Sequence, residues 1–121
     1  MEKSNELLQL VMEDSSLEDT EEVNVNTMID IARQNSLYSK LSLLVRNSES
    51  AKKDVIDCIN KAANDRSNDF RIFTLLLLLS DIARPESLEL SRAFVLQTEL
   101  RTTRLIALNI LLRESMYGNK Y

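Results

Sequence analysis

The 121-residue sequence has no histidine, one cysteine, one glycine and one proline. Average usage would place about 8 glycines and 6 prolines in a chain of this length. Without histidine there is no Ser-His-Asp or Cys-His catalysis, and the commonest general base is missing. With Cys58 as the only thiol, structural zinc is excluded. One cysteine cannot form an intramolecular disulfide, so nothing argues for an oxidising compartment. The lone Gly118 leaves no glycine-rich phosphate cradle and no calcium loop of the EF-hand type.

The same scarcity fixes the expected fold class. Hairpins and sheet connections draw on Gly, Asn-Gly and Pro turns, and this chain has almost none. Asparagine and serine, which cap helices, stand where those residues would be. The sequence therefore predicts an all-α protein of five to seven helices. Hydrophobic residues at 44% and charged residues at 28% match an ordinary soluble domain. The chain is long enough for a self-supporting core. The start, "MEKSNELLQLVMEDS", lacks the basic, apolar and cleavage segments of a signal peptide. The longest apolar run, Leu75 to Leu79, is far short of the ~20 residues that span a bilayer. The expectation is a soluble, cytoplasmic protein with no membrane partner and no cofactor or metal.

Helical spacing divides the chain into segments. Residues 4–12 carry Leu7, Leu8 and Val11 on one side. Residues 13–22, "EDSSLEDTEE", hold six carboxylates and no base, the composition of a solvated linker. The expected organisation is thus a short helix and acidic linker over 1–23, a helical domain over 24–117 and a frayed tail over 118–121. Within the domain, helices are expected over 24–35 and 36–47, with a break at Asn35-Ser36 or joined as one bent helix. In 51–65, Val55, Cys58, Ile59 and Ala62 repeat at helical spacing; Cys58 reads as a structural thiol on that face. In the segment from Asp69 to about Ala83, Ile72, Phe73, Leu75 to Leu79 and Ile82 cover nearly the whole circumference, which marks a buried central helix. Asp69 or Asn68 is expected to cap it, and Arg84-Pro85 to end it. Residues 85–99 and 100–117 come next, either two helices broken near Thr98 or one long helix. In the last of these, Leu105, Leu108, Leu111 and Leu112 form the periodic apolar set.

The segments repeat. At a shift of 33, "DFRIFTLLLLL" lies over "TTRLIALNILL": Arg71 meets Arg104, Leu75 meets Leu108, and Leu78-Leu79 meets Leu111-Leu112. A shift of 34 brings Tyr38, Leu41, Leu44 and Val45 under Ile72, Leu75, Leu78 and Leu79. A period of 33 to 35 with two helices per unit marks helical hairpin repeats. Over about 36–116 the chain resembles the HEAT- and armadillo-like α-solenoids, in which a polar turn, an arginine and an apolar inner helix commonly succeed one another. That resemblance implies a scaffold that binds another protein and has no catalytic residues. An antiparallel bundle of such hairpins gives the same register, so stacked hairpins of solenoid type and an irregular bundle both stand.

Charge is uneven. Residues 1–60 hold 6 basic and 12 acidic groups, net −6, whereas 61–121 hold 9 and 7, net +2. Arg92, Arg101 and Arg104 are the candidate partner-binding residues, a rim from which charge steers encounter. Asp65, Asp69 and Asp81 are the carboxylates available for acid–base work, but no spacing pairs them, and the first two fit helix caps. The expected function is a non-catalytic interaction module, an adaptor, scaffold or small chaperone- or inhibitor-type protein. Its partner would be another polypeptide, a second copy included. The alternative is a small helix-turn-helix DNA-binding regulator built around "LQTELRTTRL". The net charge of −4 and the lack of a dense basic field argue against nucleic acid.

Overall fold

The computed structural model describes residues 3–18 and 24–118. Among these are seven α-helices and no strand: α1 Lys3–Glu13, α2 Val25–Gln34, α3 Ser36–Arg46, α4 Glu49–Ala62, α5 Asp69–Ile82, α6 Arg84–Phe94 and α7 Arg101–Gly118. Two 3₁₀ turns, Ser15–Leu17 and Arg66–Asn68, come directly after α1 and α4. The protein is all-α, and 86–117 is two helices separated by a turn over 95–100.

Local chemistry sets most helix ends. The Asn24 side chain accepts from the N–H groups of Asn26 and Thr27 and starts α2. Asn35 accepts from Leu37 N–H and starts α3; Ser48 accepts from Ala51 N–H and starts α4. Each satisfies donors that a helix N-terminus leaves without intrahelical partners. Ala83 is a single extended residue (φ −141°, ψ 65°) that ends α5 and begins α6, with Pro85 in the first turn of α6, where its missing N–H is not needed.

α5 is the centre. Residues 69–79 are all buried, and the helix packs against α2, α3, α4, α6 and α7. Each leucine of the run contributes about 1.5–3 kcal/mol by leaving water, so no other segment of similar length matches it. α3, α5 and α7 touch in succession. Lys52 links α4 to α6 through Glu86 at 2.9 Å. α2 lies against α3, α5 and α7.

α1 joins this core directly. Leu8, Val11 and Leu17 belong to the same buried cluster as Met28, Leu41 and the α5 leucines. In the described part of the expected acidic linker, residues 13–18, Leu17 is buried while Glu13, Ser15, Ser16 and Glu18 are exposed. The reason is polar rather than hydrophobic: Asp14 accepts from Ser16 N–H at 2.9 Å and from Asn35 Nδ2 at 2.9 Å, which folds the 3₁₀ turn and drops Leu17 into the core. Residues 19–23 lie outside the described residues, as does the expected frayed tail except for the backbone of Gly118.

Candidate interaction surface

The orientation of α7 begins at Asp69. This side chain was expected to cap its own helix, yet no side-chain cap closes the start of α5. Instead the buried carboxylate crosses to α7. Oδ2 accepts from Thr102 N–H at 2.7 Å and Oδ1 from Thr103 N–H at 2.8 Å, while Thr103 Oγ1 donates to Asp69 O at 2.9 Å. The carboxylate meets two otherwise unpaired donors and the positive end of the helix together.

These three bonds turn Thr102 and Thr103 inward. Ile106, Ala107 and Ile110 continue the same side and are buried. Ala107 has no bulk beyond Cβ, which lets α7 lie close to its neighbours. The opposite side carries Arg101, Arg104, Leu108, Leu112 and Met116, with Leu105 and Leu111 half-buried at its edges. Leu108 is 44% exposed, Leu112 54% and Met116 66%. The periodic apolar set of α7 thus lies along its outer and lateral surface. The sequence shows the stripe, but the threonines anchored on Asp69 decide which way it points.

The three predicted arginines lie at one end of the α6–α7 hairpin. Arg92 is in the last turn of α6, Arg101 and Arg104 in the first turn of α7, and all three are exposed. Arg104 Nε donates to Val95 O at 3.2 Å. Of the neighbouring apolar residues, Phe94 is buried, Val95 is half-buried and Leu96 is 79% exposed. The α6–α7 corner is an exposed leucine among arginines, continuous along α7 with the Leu108–Leu112 face.

Arg71 was legible in the sequence as the repeat counterpart of Arg104, without a bonding partner. It is buried, and its Nε donates to Val11 O at 3.1 Å and its Nη2 to Asp14 O at 3.1 Å. It closes the C-terminal end of α1, as cations favourably do. Arg104, its counterpart in the repeat, likewise bonds a carbonyl at the end of a helix, that of α6.

Other polar groups are engaged in holding the fold. Asp65 caps the 3₁₀ turn through Ser67 N–H at 2.9 Å. Asp81 accepts from Arg33 Nη2 at 2.8 Å and from the Tyr38 hydroxyl, tying the end of α5 to α2 and α3. Burial, then this carboxylate, pushes the Tyr38 phenol well above the usual tyrosine range. A groove of about 620 Å³ between α1 and α4 exposes one edge of Cys58, beside Lys61. Burial pushes its thiol up, with Lys61 pulling weakly the other way, and a protonated thiol is a poor nucleophile. Among the described residues no group of three or more His, Cys, Asp or Glu is arranged to hold a metal ion, and no helix is long and apolar enough to cross a membrane.

Comparison of the chain with protein-family models, curated proteins and solved structures finds no match.

Proposed function

We propose that the protein is a non-catalytic interaction module that binds another polypeptide through its helix faces. The observation that carries this reading is the outer face of α7, where Leu108, Leu112 and Met116 stand in solvent beside Arg101 and Arg104. Contiguous exposed apolar residues rimmed by charge mark interaction sites. Asp65, Asp69 and Asp81, the carboxylates that catalysis could have drawn on, are engaged in caps and an ion pair, which fits a scaffold.

The kinship with HEAT- and armadillo-like repeats is part of the same reading. The succession α3, α5, α7, the α4–α6 link through Lys52 and the matching roles of Arg71 and Arg104 support stacked hairpins. The position of α2 against α3, α5 and α7 supports a short stack with its working surface on an outer helix.

A helix-turn-helix DNA-binding role would use the same arginines. Beyond Arg104 that helix presents Leu105, Leu108 and Leu112, which cannot hydrogen-bond base edges, on a chain of net charge −4.

The test is purification of the tagged chain from its host, identification of what accompanies it by mass, and reconstitution with the purified partner in sedimentation equilibrium. A stoichiometric complex is expected. A strictly monomeric chain that binds no polypeptide and turns over a small molecule would overturn the reading.

A further inference from the structure

We propose that the outer face of α7 is the docking site for an acidic amphipathic helix of a partner polypeptide; this rests on the interaction reading above and names its site and partner class.

The shape of the face calls for a helix. Arg101, Arg104, Leu108, Leu112 and Met116 lie along one side of α7. That stripe runs for ~22 Å at 1.5 Å per residue, about four turns. A ridge of side chains spaced by four residues fits the groove of another helix.

The repeat register says the same independently. Leu75, Leu78 and Leu79 of α5 are fully buried because α5 has helices on every side. Their counterparts at a shift of 33, Leu108, Leu111 and Leu112, are exposed or half-buried. α7 has the same leucines in the same register, and among the described residues one of its sides has no helix against it. A helix laid there gives α7 what α6 and α7 give α5.

Charge selects the partner. α7 contains Arg101, Arg104 and Arg113 and one carboxylate, Glu114, which pairs with Arg84 at 2.6 Å, while Glu99 is exposed in the turn just before the helix. Arg92 adds to the same end from α6. The face is therefore locally basic on a protein whose net charge is −4. Carboxylates flanking an apolar stripe complement it. A second copy seated on the same face offers the arginines only the single α7 carboxylate, Glu114, and a nucleic acid gains nothing from the leucines.

The experiment is selection from a displayed library of helix-biased peptides of about 18 residues, roughly the span of the stripe, against the full chain. Affinities are then measured by fluorescence anisotropy. Selected peptides should carry apolar residues at i, i+3, i+4 and i+7 flanked by Asp and Glu. Arg101→Glu with Arg104→Glu should weaken them at least about tenfold, as expected when rim charges opposite carboxylates are reversed. Exchanging the peptide carboxylates for lysine should restore binding to that variant. Leu108→Asp with Leu112→Asp should abolish binding while the melting temperature holds, and the corresponding double serine variant gives the same readout if aspartate lowers stability. Peptides that bind the leucine variants undiminished dock elsewhere, which overturns this site and leaves the interaction reading standing. Winners that are basic, tight binding of a duplex oligonucleotide, or a wild-type dimer that the leucine variants split would each overturn the partner class. No binder of any composition would overturn both.

Discussion

Asp69 Oδ2 and Oδ1 accept the backbone N–H groups of Thr102 and Thr103 at 2.7 and 2.8 Å. A carboxylate in the first turn of the central helix thereby serves as the N-terminal cap of another helix. Two residues on, Arg71 bonds Val11 O in the last turn of α1 and Asp14 O just beyond it. The first turn of α5 holds an anion for one neighbour and a cation for another.

Asp69→Ala should therefore cost more than an ordinary surface cap. Two buried N–H groups lose their acceptor, and the penalty for leaving such groups unpaired is about 1–3 kcal/mol each. Urea unfolding should show a loss of roughly 2–4 kcal/mol, and Thr102 and Thr103 amides should exchange faster. A variant within about 0.5 kcal/mol of wild type, the spread of neutral surface changes, would mean that α7 is held by packing alone.

Arg71→Met should loosen α1 and the 3₁₀ turn after it while sparing α5. The methionine fills the stem's volume but offers nothing to Val11 O and Asp14 O. Hydrogen bonds from a charged donor are worth about 1.5–3 kcal/mol. Hydrogen exchange should rise across residues 3–18, and uniform protection in both proteins would show that Leu8, Val11 and Leu17 suffice.

Leu77→Asp or Leu78→Asp should abolish folding, whereas Lys53→Asp should leave it intact. Both leucines are at most 1% exposed, and Lys53 is in solvent. An unpaired buried charge costs several kcal/mol, comparable with a total stability of about 5–15 kcal/mol. Circular dichroism melts decide this: cooperative unfolding at the wild-type temperature in either leucine variant would mean the run is accessible to water.

Tyr38 predicts an alkaline limit to stability. Its phenol is held neutral in the folded chain, chiefly by burial and then by the hydrogen bond to Asp81. An unfolded tyrosine titrates near pH 10. Below that pH the contribution is fully present; above it the unfolded chain releases a proton that the native chain keeps, so stability falls as pH rises. Tyr38→Phe should flatten that slope, measured as the urea midpoint between about pH 8 and 11. Identical slopes in the two proteins would refute the assignment.

The fold was largely legible because its signals are local. Asn24, Asn35 and Ser48 bond N–H groups two or three residues ahead, so the start of a helix can be read where such a residue precedes an apolar period. Pro85 marks the α5–α6 junction for an equally local reason. The unbroken leucine run identifies a central helix because only a helix enclosed on all sides can be apolar on all sides. The candidate site was legible in part. The arginines at 92, 101 and 104 do share one exposed end of a hairpin, since a short turn leaves them nowhere else to go.

The sequence by itself determined the class, the helices and which of them lies at the centre. Tertiary structure decided the rest. Helical periodicity reveals that α7 has an apolar set but not on which side its neighbours lie, and the packing leaves Leu108 and Leu112 outside. Asp69 looks like a local cap, yet its acceptors serve donors 33 and 34 residues away. Leu17 sits in an acidic run with nothing to mark it as core, yet Asn35 and Arg71 arrive from distant helices to bond Asp14, and Leu17 is buried. In each case the deciding partner is remote in sequence. A bond between remote residues leaves no periodic trace, because it exists only once the helices have packed.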